Sequence, residues 1–268
     1  MRLTFARLLV LASLASITFS FSGCATKGRL DVEKESQSES VDKAELHRRA
    51  AIRLQLAVSY YQQGQYKVAL DEIRQALNVY PQNADAYVVR ALVFMEMGEK
   101  QLAEDNFEYA LKLEPGKSEI LNNYGWFLCQ SGRERRGLQL LDRVISDPAY
   151  PTPGLALNNA GLCSLKLKDN ALAEKYFIQG FRVDPSHSGV NANLAKIYFD
   201  KGDFSQARFY IQRVLRQEVY AADVLWLAIK IERRLGDDSA VSALAAQLRK
   251  LHPSSKELIS MQKGAFDE

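Results

Sequence analysis

The sequence predicts an all-α superhelix made of six helix-turn-helix repeats. Gly64, Gly98 and Gly132 lie 34 residues apart, and so do Gly202 and Gly236. Small residues follow each turn by five positions, and prolines recur later in the same frame. A period of this length is typical of architectures in which short units stack into one continuous core. The predicted repeats are 50–83, 84–117, 118–151, 154–187, 188–221 and 222–255.

The first 23 residues have the pattern of a secretory signal peptide. Arg2 and Arg7 give a basic start, an apolar run follows, and small residues close the segment. The apolar run, 8–21, holds 14 residues, which is short of the roughly 20 that a membrane-spanning helix needs. We therefore interpret 1–23 as a segment that is removed after export.

The residues F-S-G-C at 21–24 resemble the lipobox of bacterial lipoproteins. In that motif, signal peptidase II cuts before the cysteine, which then carries acyl chains. The resemblance implies lipidation of Cys24, and several acyl chains make a stable membrane anchor. Ala25 follows where an Asp tends to retain such proteins at the inner membrane, so sorting to the outer membrane is implied. The alternative is an ordinary cleaved signal with an incidental cysteine.

Residues 24–49 are predicted to be a flexible tether behind the lipidated cysteine. The part from 26 to 45 is rich in Ser, Glu, Lys and Gln and poor in apolar residues, a composition that is typical of disordered linkers.

Composition also limits the class of protein. The chain has 268 residues, of which 47% are hydrophobic, enough for a well-packed core. Its formal charge of +3 falls to about +1 when Arg2 and Arg7 leave with the signal peptide. Nucleic-acid binding proteins usually carry a basic stripe, so we expect no nucleic-acid partner.

The repeats resemble the tetratricopeptide repeat. Each unit is two antiparallel helices joined by a tight glycine turn. Small residues at positions 8 and 20 let the two helices approach closely, and proline ends the second helix. Position 8 holds Ala57, Ala91, Gly125, Gly161 and Ala195, and position 20 holds Ala69, Ala103, Gly137, Ala173 and Ala207.

Several positions depart from this pattern. Repeat 3 has Gly137 where Ala is usual, and repeat 4 has Lys168 in its turn. A two-residue insertion falls at 150–154, and repeat 6 has Ile229 and Val241 at its two small positions. We predict a capping helix within 254–263 and treat 256–268 as a cap and tail. Its apolar residues Leu258, Ile259 and Met261 are expected to cover the end of the stack.

In this family the first helices line a concave face. The predicted partner-binding groove at its N-terminal end consists of Leu54, Val58, Tyr61, Val88, Leu92, Met95 and Trp126. Asn122 and Asn158 are expected on the same face in repeats 3 and 4. At the other end, Lys196, Lys230 and Arg234 are candidates to hold an acidic segment. The alternatives are packing of the apolar residues on neighbouring repeats and a solvated face for the basic ones.

Two cysteines lie on neighbouring first helices. Cys129 and Cys163 occupy positions 12 and 10 of repeats 3 and 4. Because neighbouring first helices lie side by side, a disulfide across the insertion is geometrically plausible. The alternative is two small buried core residues.

The sequence shows no catalytic or cofactor motif. His47, His187 and His252 are scattered, and no HExxH, CxxC, phosphate-cradling glycine loop or G-x-S-x-G motif occurs. We therefore predict a binding protein rather than an enzyme, without metal, cofactor or small-molecule substrate.

Signal peptide, lipobox, tether and six repeats together resemble the PilF/PilW family of type IV pilus biogenesis lipoproteins. The resemblance covers the whole chain and implies a pilotin. The lipid on Cys24 would hold it at the outer membrane, facing the periplasm, and its groove would bind the pilus secretin subunit and promote secretin multimerisation. One alternative is a lipoprotein scaffold for peptidoglycan enzymes. Another is a hydrolase in a helical shell, which the missing nucleophile and base disfavour.

Overall fold

The computed structural model describes residues 27–266, with side chains from residue 43 onward. All regular structure in this range is helical, which confirms the all-α fold class. The helices of the described range are α1 (Lys27–Gln62), α2 (Tyr66–Val79), α3 (Ala84–Glu96), α4 (Lys100–Leu113), α5 (Ser118–Gln130), α6 (Glu134–Ile145), α7 (Pro153–Lys166), α8 (Asn170–Val183), α9 (Ser188–Asp200), α10 (Phe204–Leu215), α11 (Ala222–Leu235), α12 (Asp238–Leu251) and α13 (Lys256–Gln262). Among these, none is both long and apolar enough to cross a membrane.

Each of the six predicted repeats holds one odd-numbered first helix and one even-numbered second helix. The compact unit that contains the repeats begins at Arg49. Ala50 is the first fully buried residue of its core. From repeat 2 onward the predicted repeat boundaries separate the helix pairs of the structure, whereas α1 begins before the predicted start of repeat 1.

The segment before the repeats differs from the predicted flexible tether. Helix α1 begins at Lys27 and continues without a break into the first repeat, while the side chains of 43–49 are exposed. The segment is rich in Glu, Lys, Arg and Leu, which all have high helix propensity, and 29–49 contain no Gly or Pro. Its polar composition therefore does not imply an irregular backbone. Cys24 and the signal peptide lie outside the described residues.

The turn between the paired helices has a left-handed residue in every repeat. Gly132 in repeat 3 has φ of 80°, and in repeat 4 the same place is taken by Lys168 with φ of 61°. The following residue closes the turn in both cases: Arg133 N donates to Leu128 O at 2.9 Å and Asp169 N to Ser164 O at 3.0 Å. Repeat 4 therefore keeps the geometry of the family with a residue that is strained there.

The disulfide region explains why repeat 3 has glycine at position 20. The structure joins Cys129 and Cys163 in a disulfide, with their Cα atoms 5.4 Å apart, and both cysteines are buried. A Cβ on Gly137 would lie 2.4 Å from Cys129 Sγ and 2.7 Å from Gly125 O. Glycine leaves the space that the disulfide and the close helix backbones occupy.

The disulfide links repeat 3 to repeat 4 across the insertion. It closes a segment of 34 residues, for which the loss of chain entropy in the unfolded state gives about 3–4 kcal/mol of stabilisation. A hydrogen bond spans the same two repeats, since Tyr176 OH donates to Asp142 Oδ1 at 2.7 Å. Burial raises the pKa of this Tyr176 hydroxyl, and its bond to the Asp142 carboxylate raises it further.

The C-terminal end is capped by α13, as predicted, although not by all of the expected side chains. Ser255 Oγ accepts a hydrogen bond from Leu258 N at the start of the helix. Leu258 is buried and Met261 packs on the same cluster, together with Ile229 of repeat 6. The prediction for Ile259 is wrong: this side chain is exposed, because it follows Leu258 by one residue and so lies on another face of α13.

Gly137→Ala is expected to lower the free energy of unfolding by about 1–3 kcal/mol, because the added methyl group must displace packed atoms. Urea denaturation under non-reducing conditions measures the change. Gly154→Ala is the matched control, since its Cβ would meet its nearest neighbour at 3.4 Å. A Gly137→Ala protein as stable as the parent would contradict the packing described here.

Lys168→Gly is expected to raise the free energy of unfolding by about 0.5–1 kcal/mol. Relief of the left-handed strain, about 1–2 kcal/mol, outweighs the greater chain entropy of glycine in the unfolded state. Lys175→Gly, the same substitution at an exposed position inside α8, should instead lower the free energy of unfolding by about 1 kcal/mol. Equal effects of the two changes in urea denaturation would refute the strain at Lys168.

Candidate functional site

The candidate site is the face formed by the first helices. Helix α3 contacts α5, α5 contacts α7, α7 contacts α9, and α9 contacts α11. Residues at one repeat position therefore lie in a row across successive helices. Position 9 gives the row Val58, Leu92, Trp126, Leu162, Lys196 and Lys230.

The position-9 row is open at its N-terminal end. Val58, Leu92 and Trp126 are partly exposed, although all three are apolar or aromatic. Leu54, Tyr61 and Met95 are also partly exposed. We call the six the N-terminal apolar surface: Leu54, Val58, Tyr61, Leu92, Met95 and Trp126.

Most of these side chains pack on the core as well as facing outward. Leu54 and Tyr61 contact the cluster that contains Ala57 and Ile73, and Leu92 and Met95 contact the cluster around Phe107. Burial raises the pKa of the Tyr61 hydroxyl, and the nearby Glu96 carboxylate raises it further. Neighbour packing therefore fixes the orientation of these side chains and leaves part of each one accessible.

Val88 does not belong to the groove, and that prediction is wrong. It is 7% exposed and lies in a core cluster with Ala91, Ala103 and Phe107. Asn122 and Asn158, which occupy position 5 of repeats 3 and 4, are also buried. From repeat 2 to repeat 4, position 5 therefore faces the packing between repeats. The prediction missed this because it treated positions 5 and 9 as equivalent.

Asparagines at positions 5 and 6 form links between repeats that sequence reasoning missed. Asn159 Nδ2 donates to Asn122 Oδ1 at 3.1 Å, and Asn193 Nδ2 donates to Asn158 Oδ1 at 3.3 Å. In both pairs, position 6 of one repeat donates to position 5 of the repeat before. The signal in the sequence is the Asn-Asn pair that recurs at positions 5 and 6 of repeats 3 and 4.

The C-terminal end of the same face holds a cavity of about 310 Å³, which we call the C-terminal pocket. Helices α9, α10, α11 and α13 line it. Its walls include Asn193, Lys196, Ile211, Asp223, Val224, Trp226, Leu227, Lys230 and Glu257.

Two of the basic residues that were predicted to hold an acidic segment, Lys196 and Lys230, line this pocket. Lys230 is 8% exposed, and its Nζ lies 5.3 Å from the Phe199 ring centroid and 5.6 Å from that of Trp226. Burial lowers the pKa of the Lys230 ammonium, and the charge of Lys196 lowers it further while Asp200 opposes the change. Lys196 Nζ itself pairs with the Asp200 carboxylate at 2.6 Å.

Arg234 follows Lys230 by about one helical turn on α11. It is not among the residues that line the pocket, and its guanidinium lies 5.6 Å from the Phe204 ring centroid. Conversely, sequence reasoning missed Asp223 and Glu257 in the pocket wall. Glu257 belongs to α13, and no periodicity of the repeats indicates where that helix packs.

Two histidines, His187 and His252, form hydrogen bonds with backbone atoms. His187 Nδ1 accepts from Val190 N at the start of α9, and His252 Nε2 lies 2.6 Å from Tyr220 O. In residues 27–266 no group of three or more His, Cys, Asp or Glu side chains is arranged to hold a metal ion.

The fold and its first-helix face define a tetratricopeptide-repeat protein. The model described as "TPR repeat" matches residues 59–98. Models described as "Tetratricopeptide repeat" match 88–153, 155–187 and 188–218.

Comparison with individual proteins narrows this class. The chain is 28% identical to the type IV pilus assembly protein PilF of Pseudomonas aeruginosa, over 92% of this chain and 95% of PilF. It matches the crystal structure of PilW, a widely conserved type IV pilus biogenesis factor, with a TM-score of 0.69 and 34% identity over 80% of this chain and 98% of PilW. The solved structure of Pseudomonas aeruginosa PilF gives a TM-score of 0.71 over 83% of this chain and 99% of that one. The chain belongs to the PilF/PilW family of tetratricopeptide-repeat proteins of type IV pilus biogenesis.

Proposed function

We propose that this protein is an outer-membrane lipoprotein that binds the type IV pilus secretin and promotes its localisation and multimerisation. The observation that carries the proposal is the similarity to PilF along nearly the full length of both chains. In this proposal the protein acts as a pilotin, faces the periplasm and works by binding without catalysis.

The N-terminal apolar surface is the proposed contact with the secretin. Its side chains combine an ordered, core-packed part with an accessible part, so little side-chain entropy is lost when a partner covers them. Large apolar and aromatic anchors such as Tyr61 and Trp126 are the residue types that dominate many protein interfaces.

The lipid on Cys24 is the proposed membrane anchor, and it supports the same mechanism. An anchored protein and a membrane-bound partner meet on one surface, which raises their effective concentration. A groove of modest affinity then suffices to hold the secretin. The sequence features behind this part of the proposal are the F-S-G-C motif and Ala25.

Val58→Asp combined with Leu92→Asp is expected to reduce secretin binding by about tenfold or more, because two charges would be buried in an apolar contact. Co-purification and the amount of heat-resistant secretin multimers in outer-membrane fractions measure the effect. A strain lacking this protein gives the reference value, with monomers that persist and multimers that are lost.

Val68→Asp combined with Leu102→Asp is the matched control. Both residues are exposed apolar side chains on the second helices of the same two repeats, and secretin multimers should stay at the parent level. If multimers are also normal with the Val58 and Leu92 changes, the N-terminal apolar surface is not the site. Normal multimers in the deletion strain, with loss of bound peptidoglycan enzymes, would favour the cell-wall scaffold.

Cys24→Ala is expected to move the protein from the membrane fraction to the soluble periplasm and to lower the yield of secretin multimers. Membrane fractionation and immunoblotting measure both effects. Ala25→Asp is the comparison variant: it keeps the lipid but should shift the protein to the inner membrane. Unchanged fractionation of Cys24→Ala would refute the lipid anchor.

A further inference from the structure

Another cavity lies outside the first-helix face, and we call it the outer cleft. Its volume is about 280 Å³. It lies between the loop that joins repeats 4 and 5 and the C-terminal end of α10, the second helix of repeat 5. Its lining residues are Pro185, Ser186, Arg213, Arg216 and Gln217. None of these five belongs to a first helix, so the outer cleft is separate from the N-terminal apolar surface and from the C-terminal pocket.

Two arginines give the outer cleft a positive charge. Arg213 and Arg216 are three residues apart at the C-terminal end of α10, which places their Cβ atoms about 5–6 Å apart. In the part of the chain whose side chains are described, neither guanidinium forms a hydrogen bond or an ion pair. The carboxylate of the same loop, Asp184, accepts hydrogen bonds from Ser186 N and Oγ instead. The carbonyl end of α10 stabilises the two cations in part, but a carboxylate would form a stronger, charge-assisted bond.

Aromatic rings hold the Arg213 guanidinium in place. Its Cζ lies 5.2 Å from the Phe181 ring centroid and 4.8 Å from that of Phe209. Its Nε is buried and has no hydrogen-bond partner among the described residues. Because Arg213 lines the cleft while its Nε is buried, its two terminal nitrogens are the groups left for a ligand. Such a planar fork matches a carboxylate, which can accept two parallel N–H bonds.

Hydrogen bonds fix the loop that forms the opposite wall of the outer cleft. Pro185 O accepts a hydrogen bond from Asn191 Nδ2 at 3.0 Å, and Asn191 is fully buried. Ser186 O accepts one from Gln217 Nε2, which links the loop to α10. Both walls are therefore ordered before a ligand binds, which lowers the entropic cost of binding.

An apolar surface borders the two arginines. The Phe209 ring packs on Phe181 and Tyr210, with centroids 6.1 Å and 5.0 Å away, yet Phe209 is 45% exposed. Pro185 is also exposed. An apolar residue beside the carboxylate of a bound chain would remove this surface from water, whereas a small free anion would leave it uncovered. The combination favours a polypeptide as the ligand.

We propose that the outer cleft binds one acidic side chain of a partner polypeptide, next to an aromatic or aliphatic residue that packs on Phe209. The carboxylate lies between Arg213 and Arg216. The volume of about 280 Å³ is slightly below the roughly 300–1,000 Å³ of ligand pockets, which suits one side chain rather than a longer segment. The inference goes beyond the proposed secretin contact and does not depend on it, since no residue of the N-terminal apolar surface takes part.

The test follows the Arg213 Nε–H signal of the full chain by NMR while hexapeptides with acetylated and amidated ends are added. The first peptide carries Glu-Phe at its centre, and in the others Gln-Phe, Glu-Gly or phosphoserine-Phe takes that place. The Glu-Phe peptide should shift the signal in a saturable manner, and the Gln-Phe peptide should not. The Glu-Gly peptide should bind several-fold more weakly, because it leaves Phe209 uncovered.

Variants assign the binding to the two arginines, with fluorescence anisotropy of a labelled Glu-Phe peptide as the measurement. Arg216→Ala removes an exposed side chain and should weaken binding about tenfold, because one charge-assisted contact is lost. Arg213→Lys keeps the charge but loses the fork and should also weaken binding. Arg182→Ala is the matched control and should bind as the parent does. Arg182 is exposed, occupies the position in repeat 4 that Arg216 has in repeat 5, and does not line the outer cleft.

Equal shifts with the Glu-Phe and Gln-Phe peptides would overturn the proposal, and so would an unchanged affinity of Arg216→Ala, a change that leaves the packed Arg213 in place. Tighter binding of the phosphoserine peptide, or of inorganic phosphate, than of the Glu-Phe peptide would overturn the assignment to an acidic side chain. Because secretin multimers are not measured in this test, its failure leaves the pilotin proposal intact, and the converse also holds.

Discussion

The close approach of the two helices within each repeat is the constraint on which the rest of the structure depends. It requires side chains of minimal size at positions 8 and 20. Ala57 with Ala69 and Ala91 with Ala103 are fully buried at those positions. In repeat 3 the residue at position 20 must be smaller than alanine, because the disulfide sulfur of Cys129 occupies the space beside Gly137. In repeat 6, where Ile229 fills position 8, the small residue in the same cluster is Ala245 on α12. Tight pairs stack regularly, and regular stacking puts equal positions of the first helices in rows.

That arrangement explains which features could be predicted from the sequence. Periodic glycines and small residues depend only on neighbours within one repeat, so the fold class, the helix pairs and the meeting of Cys129 with Cys163 follow from spacing. Which side chains are buried between neighbouring repeats cannot be predicted from that spacing. Val88 at position 5 is covered by the core around Phe107, whereas Val58 at position 9 stays accessible, and both are apolar residues on a first helix. The contribution of Glu257 to the C-terminal pocket depends on the docking of α13, for which the repeat pattern has no equivalent. The helical state of 27–49 was missed for another reason: disorder was inferred from polarity, although polarity and helix propensity are separate properties.

The concave face changes in chemistry along one row of equivalent residues. Position 9 is apolar or aromatic from Val58 to Leu162 and becomes Lys196 and Lys230 in the last two repeats. Both halves are built from the same kind of helix pair, so the difference in what each end can bind comes from side chains and, at the C-terminal end, from the added helix α13. A single stack can thus present an apolar surface and a charged pocket to different parts of one partner, or to two partners, without a second domain.

The N-terminal apolar surface and the C-terminal pocket keep one relative position only if the repeats between them stay packed on one another. In a repeat array each unit contacts chiefly its neighbours, so the weakest interface limits how well one end is held relative to the other. The two-residue insertion at 150–154 interrupts the period between repeats 3 and 4. At this interface the structure concentrates its strongest cross-links: the Cys129–Cys163 disulfide, the Tyr176–Asp142 hydrogen bond and the buried pair Asn122–Asn159. The next interface repeats the asparagine link through Asn158 and Asn193, and Asn193 also lines the C-terminal pocket. Covalent and polar links therefore offset the irregular spacing at the insertion.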